Sequence, residues 1–527
     1  MNRILESRIG QYTVLAAAVL VTRVPFRSKL LYDLDSVNFA TGMQRFDVTV
    51  SQPHAPGYYL YIVLGRLFSL VLPDANDALV AISVVFSCLA VIAIHRLTEE
   101  LYDRNAALAA GFIFVFSPLY WFHGTVALVY VVEGFFSALV GWLCWQTYSG
   151  NRDRSLISAA VLGLCIGFRQ SSCLFLGPLW LFSLSGKPKA VQAKAVGVLA
   201  LICAAWFLPM AAESGGPAAY FRGLYDLWTA VAGQRTAFTT TEVGGVWLVF
   251  ARSVAIMVIF AMTFGFFSFS TVAAAAAWGR VKGGAERNVE RSLFFAVWLI
   301  PGLLFFTFIY LNYVNSGYLL VLTPPLFAWF GSAASSGSPL GWPQARPIQF
   351  LALAALNTWI FLSAPMYFSR RSVLEFEREW GRTVAFVRAT YDPKTTVLIG
   401  LDAHFHGFRH ASYYLPEYRI YAYPAARAAG QVRLLTAQNR DSHVEVPPQS
   451  LLPYTQFLFL PMPRDEEYER YLEKIVDSTS GLRKTLTGDR IGAIGPIGSF
   501  KSLYPTAYPD ASPEARLGMH PKKRIRP

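Results

Sequence analysis

Charge is scarce in this sequence. Asp, Glu, Lys and Arg make up 15% of its 527 residues and hydrophobic residues 54%, with a mean hydropathy of +0.37. A soluble domain of ordinary composition is about one quarter charged, so a wholly soluble chain is excluded. Residues 78–94, ALVAISVVFSCLAVIAI, carry no charge at all and approach the roughly 20 residues that a membrane crossing needs. Cysteine is scarce too. Cys88, Cys144, Cys165, Cys173 and Cys203 fall in or beside apolar runs, no CxxC occurs, and the polar C-terminal third has none. That pattern gives neither a disulfide framework nor a cysteine zinc site. There is no internal repeat and no basic stripe interleaved with aromatics. The net charge of +13 is therefore read as topology-setting charge in cytoplasmic loops, and nucleic acid is excluded as a partner. Arg3 and Arg8 precede an apolar stretch that lacks a small-residue cleavage site, which predicts an uncleaved first helix.

What is present is a series of apolar runs. Spans are expected near 11–22, 78–94, 106–119, 126–147, 155–168, 173–185, 191–212, 246–278, 292–312, 317–333 and 348–366, eleven in all. Residues 53–73, PHAPGYYLYIVLGRLFSLVLP, are long enough to span, but they carry Arg66 and a Pro-x-x-Pro-Gly turn. They are read as an interfacial or re-entrant helix. Charge counting supports this. With the N-terminus inside, the inner loops hold 14 Lys/Arg and the longer outer loops 8; a further crossing at 53–73 would reverse most of that bias. Residues 213–245 then form an outer loop, with Tyr225 and Trp228 suited to an interface.

Composition shifts after residue 366. A helical pattern (VLEFEREWGRTVAFVRATY) is followed by the strand patterns TTVLIGLDA, YRIYAYP and TQFLFLP and the segment KTLTGDRIGAIG. This predicts a small α/β domain over 367–504, after a transmembrane domain over 1–366. The basic, Pro-rich tail 505–527 is expected to be disordered.

The chemistry-bearing residues concentrate in the first outer loop. Asp33 and Asp35 sit just beyond the first span in DLDSVNFA. Carboxylates there can take a proton from an attacking hydroxyl, bind a metal, or simply be solvated. His54 can hydrogen-bond a substrate or brace its turn. Tyr58 and Tyr61 suit an interface, with Tyr58 also a candidate for substrate contact. Glu133, about two turns inside an apolar helix, is a functional candidate by default, for a substrate contact or for pairing with Arg169. Arg169 interrupts an apolar hairpin at its outer turn, where a phosphate would be a good bidentate partner and snorkelling to headgroups is the alternative. Arg252 either meets phosphate or pairs with an acid such as Glu242. Arg222 and Arg235 are weaker candidates. Tyr318 opens its span on the outer side, where an aromatic belt is the plainer role. Asp402, His404, His406 and His410 in DAHFHGFRH tempt a metal reading, but a surface strand-loop is favoured, and no metal site is assigned.

The order of motifs resembles the GT-C superfamily of membrane glycosyltransferases, in its protein O-mannosyltransferase-like branch. DLDSVNFA and QPHAPGYYLY are similar to that branch's Asp-Ser-x-x-Phe and His-Pro-Pro-Gly-Tyr-Pro-Leu-Tyr elements, with Ala55 for the first proline and Tyr59 for the last. WFHGTVALVYVVEGFFSALVGWLCW resembles its segment of Trp, Glu and Tyr, with the order of Tyr130 and Glu133 departing from it. GFRQSS resembles a Gly-x-x-Arg region with one spacer fewer. GYLLVLTPPLFAWFG resembles Arg-Tyr-Leu-Leu-Pro-x-x-Pro-Pro-Leu, with Gly317 in place of the arginine, and ASYYLPEYRIYAY looks like the soluble tail of many bacterial members.

The resemblance implies a multi-span helical protein of the cell inner (plasma) membrane with its C-terminal domain outside the cytoplasm. It implies inverting transfer of a sugar from a polyprenyl-phosphate donor to an extracytoplasmic protein, lipid or glycan. Asp35, at the Asp-Ser position, would be the base, with Asp33 second; His54, Tyr58, Glu133, Arg169, Arg252 and Tyr318 would line the substrate. No cofactor is implied, and a divalent metal is left open. Two other classes remain: a transporter or lipid flippase, which would want acids and broken helices near the midplane and a two-fold repeat, and a non-catalytic membrane scaffold.

Overall fold

The computed structural model describes residues 7–229, 233, 236–239, 242–264, 285–311, 315–336, 345–401, 408–423, 434–436, 445–446, 450, 453–454, 456–459 and 491–493. The chain divides into two units. The first comprises 1–28, 46–364 and 368–370; the second comprises 29–45, 365–367 and 371–527.

The first unit is helical because its apolar runs have no other way to satisfy their backbone polar groups in lipid. Helix α1 is Arg8–Arg23, capped by Ser7. In the second unit α2 is Leu34–Gln44. Back in the first unit, α3 is Tyr59–Ser69, α4 Ala75–Leu101, α5 Arg104–Val115, α6 Pro118–His123, α7 Tyr130–Tyr148, α8 Ser155–Phe168, α9 Ser172–Leu184, α10 Lys189–Glu213 and α11 Pro217–Leu227. Helices α12 (Glu242–Phe264), α13 (Ala285–Leu304), α14 (Thr323–Ser336) and α15 (Ala345–Ser363) complete it. Asp74 and Asp103 cap α4 and α5 by accepting from the amides of Asp77 and Ala106, which satisfies donors that a helix start leaves free.

Six helices among the described residues are long and apolar enough to cross a membrane: Arg8–Phe26, Ala75–Leu101, Lys189–Glu213, Gly244–Phe264, Val289–Ile309 and Ser316–Ser335. The protein is a multi-span membrane protein. Five further apolar helices are shorter, so the expected eleven spans are not reached by length. The expected span at 106–119 stops at Val115, just ahead of Ser117 and Pro118, since the residue before a proline is pushed out of the helical region. The expected span at 126–147 starts only at Tyr130, after a loop. Of the span expected over 246–278, residues 265–278 lie outside the described residues. Helix α3 has 11 residues, about 16 Å of helix, half of a roughly 30 Å hydrocarbon core. It does not cross. Arg66 on it pairs with Glu213 at the end of α10, which also accepts from the Tyr59 hydroxyl. Elsewhere in the unit, Arg8 pairs with Glu99, and Gln146 and Asn151 donate to Glu100. The N-terminal segment and two of the expected inner loops therefore meet at one end of the bundle.

The second unit holds α2, α16 (Arg370–Thr390) and a six-stranded sheet. Helix α16 buries Val373, Phe376, Trp380, Thr383 and Val387, spaced by three and four as one face of a helix requires. Strands β1 (Thr396–Leu401), β2 (Arg419–Tyr423), β3 (Leu434–Thr436), β4 (Glu445–Val446), β5 (Gln456–Phe459) and β6 (Ile491–Ala493) run in the order β4-β3-β2-β1-β5-β6. β1 is parallel to β2 and β5, with Leu398 opposite Ile420 and Leu458. Its unbroken apolar run is what a central parallel strand needs, being covered on both faces. Helix α17 (Phe408–Tyr414) lies on the β1–β2 crossover. Three strands and α16 match the sequence pattern; β3 and β4, antiparallel on one edge, were too short to give one. The tail 505–527 lies outside the described residues.

Candidate functional site

In the first unit, α7, α8 and α9 bring Glu133 and Arg169 together. Their pair is almost fully buried, at 3% and 0% side-chain exposure for Arg169 and Glu133. Ser172 donates its hydroxyl to the other Glu133 oxygen at 2.6 Å. The Arg169 guanidinium lies 4.8 Å from the Tyr130 ring centre and 4.7 Å from that of Tyr318. It is held by a carboxylate and two aromatic faces, the combination that makes a buried arginine tolerable. Asn315 donates to the Tyr130 hydroxyl at 2.7 Å, and His123 shares a hydrogen bond of 3.3 Å with Ser316.

The structure gives Tyr318 more than a place in an aromatic belt: its ring lies against Arg169. Of the two readings of Glu133, pairing with Arg169 is the one observed. Gly317 is explained by packing. A Cβ there would lie 2.3 Å from the Tyr130 ring and 2.8 Å from His123 Cε1. The Tyr130 ring fills the volume that a larger side chain at 317 would need.

His54 and Tyr58 form a second element of the same unit, sharing a 3.2 Å hydrogen bond from ring nitrogen to phenol. Tyr58 is buried and sits in the left-handed region at φ 49°. That conformation costs a bulky residue roughly 1–2 kcal/mol and persists only where surroundings impose it. The Tyr58 phenol is close enough to Arg169 to interact with it electrostatically, so His54, Tyr58, Glu133, Arg169 and Tyr318 gather in one region.

Arg252 does not join them through its observed bonds. It is buried, and its guanidinium donates to the carbonyls of Thr307 and Ile309 at 3.3 Å each, which ties the end of a helix. The Glu242 side chain and Arg235 lie outside the described residues. Arg222 is exposed on α11.

In the second unit, Asp33 and Asp35 have different surroundings. Asp33 is 2% exposed. Its carboxylate caps α2 by accepting the Asp35 amide at 2.8 Å, and it also accepts the Tyr367 hydroxyl. Burial first, then the Asp33 charge, raise the Tyr367 phenol well above its ordinary range, so it stays a donor at neutral pH. Asp35 is half-buried in the first turn of α2, where the helix dipole favours a negative charge. Asp33 thus helps hold the start of α2 and the Tyr367 hydroxyl in place.

Of the histidine cluster, Asp402, His404 and His406 lie outside the described residues. His410 is fully buried, which corrects the surface reading at that position. Among the described residues no group of three His, Cys, Asp or Glu side chains is arranged to hold a metal. Sequence reasoning missed Tyr367 altogether and gave no role to Tyr130 or Ser172. Tyr130 could have been found, because it lies three residues before Glu133 and such pairs share a helix face; Tyr367 offers no local signal.

Residues 45–192 match the family model of the protein O-mannosyl-transferase TMEM260 N-terminal domain. The apo structure of ArnT from Cupriavidus metallidurans aligns over 95% of both chains with a TM-score of 0.51 at 13% identity. The chain has a GT-C fold. ArnT from the same organism bound to undecaprenyl phosphate gives a TM-score of 0.49 at 12% identity, over 95% of this chain and 94% of that one. An Archaeoglobus fulgidus oligosaccharyltransferase tethered with an acceptor peptide gives 0.45 at 13% identity, over 80% of this chain. The GT-C chain described here spans 64% of the length of that archaeal enzyme. No curated protein matches it by sequence.

Proposed function

We propose that this GT-C protein is an inverting glycosyltransferase that moves a sugar from a polyprenyl-phosphate donor to an acceptor outside the cytoplasm. The acceptor nucleophile attacks the anomeric carbon, the bond from that carbon to the phosphate oxygen breaks, and its electron pair leaves with the polyprenyl phosphate. Asp35 takes the acceptor proton. Lipid phosphate needs no proton to leave, but its charge needs a cation, and Arg169 is assigned to it, with Glu133, Tyr130 and Tyr318 holding the guanidinium in place. The observation that carries the reading is the division of labour between the two aspartates. Asp33 is buried and accepts from the Asp35 amide and the Tyr367 hydroxyl, whereas Asp35 is half-buried in the first turn of α2.

The match of residues 45–192 to a protein O-mannosyl-transferase domain supports transfer chemistry and favours a protein acceptor over a lipid or a glycan. The loop charges support the α/β domain lying outside the cytoplasm. A transporter or flippase is less well supported. The one described carboxylate deep among the helices, Glu133, is locked to Arg169 and Ser172 rather than lining a relay.

The test is the stereochemistry of the product. Purified full-length protein in vesicles, given a polyprenyl-phosphate sugar and an acceptor, is expected to yield a glycoside of anomeric configuration opposite to the donor's, read by NMR. A retained configuration, or no transfer to protein, lipid or glycan acceptors, would overturn the reading.

A further inference from the structure

The segment that carries the two aspartates belongs to the second unit, and the groups that hold it come from residues more than 330 positions further along the chain. The grip is on the backbone. The Leu31 amide donates to the Tyr414 hydroxyl at 2.8 Å, and the Leu31 carbonyl accepts from His410 Nε2 at 2.9 Å. Both sides of one buried residue are therefore tied to α17. Two residues earlier, the Lys29 amide donates to the Glu377 carboxylate at 2.6 Å. One residue later, the fully buried Tyr32 donates its hydroxyl to the Tyr367 carbonyl at 2.8 Å, with the two rings 4.8 Å apart. Tyr367 then returns its own hydroxyl to Asp33, which accepts the Asp35 amide.

His410 is set for this by packing. Its ring lies edge-on to Phe376 at 5.6 Å and to Trp380 at 5.8 Å, both on the buried face of α16. A ring fixed in this way aims Nε2–H at one carbonyl. The tautomer follows from the partner, since a carbonyl can only accept.

We propose that His410 and Tyr367 are positioning residues for Asp35: the C-terminal α/β unit holds the acid segment at residues 29–35 by its backbone, and so fixes where the carboxylate of Asp35 stands. The inference rests on Asp35 being the base. It also goes beyond that assignment, because it gives the soluble-looking tail a duty in the transfer step itself rather than in binding an acceptor. Fixing a reacting group by rigid packing and hydrogen bonding is what keeps it within the small tolerance that general-base transfer allows.

The experiment uses the full-length protein in nanodiscs, with three substitutions. Tyr367→Phe removes one oxygen and keeps the ring. His410→Ala removes the donor, and His410→Gln restores a donor N–H. Hydrogen exchange of the 29–38 backbone and kcat and KM for a polyprenyl-phosphate sugar are measured on each. In Tyr367→Phe and His410→Ala, the 29–38 amides are expected to exchange at least tenfold faster and kcat to fall about tenfold or more, with the donor KM within twofold of wild type; His410→Gln recovers most of both. Unchanged exchange, or faster exchange with unchanged kcat, overturns the proposal. Asp35→Asn run in the same series separates the two ideas. If it keeps full activity, the base assignment falls, and the kinetic half of this proposal with it, while the exchange result still judges whether the α/β unit grips the segment.

Discussion

Asp35→Asn is expected to lower kcat by roughly 10²–10⁴-fold, the contribution typical of a positioned general base, with at most a small fall in the melting temperature of the solubilised protein, from the lost charge at the start of α2. Asp33→Ala should act first on stability. It removes the cap of α2 and leaves the buried Tyr367 hydroxyl without its carboxylate. Losing a cap costs about 0.5–2 kcal/mol, and stranding a buried donor costs about 1–3 kcal/mol, so the melting temperature falls measurably. Asp33→Ala also slows turnover, because the amide it bonds is that of Asp35. The decisive signature is the separation: one variant is stable and inactive, the other is destabilised. Paired measurements of kcat and thermal melting check it. A stable, inactive Asp33→Ala beside an active Asp35→Asn would exchange the two roles.

The second large effect concerns the buried pair. Removing one partner of a buried ion pair typically costs about 3–5 kcal/mol, because the other charge is left uncompensated. Glu133→Leu and Arg169→Met are each expected to destabilise the chain by that order, with Glu133→Leu also stranding the Ser172 hydroxyl. The double variant should recover most of the stability, since an apolar replacement of both charges is often neutral. What it should not recover is the donor. If Arg169 meets the lipid phosphate, both Arg169→Met and the double variant raise the KM for the polyprenyl-phosphate sugar by tenfold or more. A double-mutant cycle on melting temperature and donor KM measures both quantities. Recovery of donor KM along with stability would reduce the pair to scaffold.

Much of the fold could be read from composition and spacing. The apolar runs, the short α3 and the amphipathic face of α16 are local patterns, each written within about 20 residues. Strand β1 was legible for the same reason. The partnership of Glu133 with Arg169 was also anticipated as one of two readings, because an acid and a base isolated in apolar surroundings have few other partners. What could not be read was anything long-range. Tyr367 and Asp33 are 334 positions apart, and His410 and Leu31 are 379 apart; no period or spacing records such a contact. Tyr318 looked like a belt residue because an aromatic at the start of a span usually is one, and only the placement of Arg169 beside it shows otherwise. Gly317 looked like the loss of an arginine until the Tyr130 ring was found filling that space.

The most direct test of the account follows the lipid itself. Vesicles loaded with a polyprenyl-phosphate sugar and wild-type protein, with acceptor present, are extracted and the lipid is weighed by mass spectrometry. The account predicts free polyprenyl phosphate appearing in step with glycosylated acceptor, and neither product in the Asp35→Asn vesicles. Lipid-linked sugar that stays intact, or that crosses the bilayer unchanged, would contradict it.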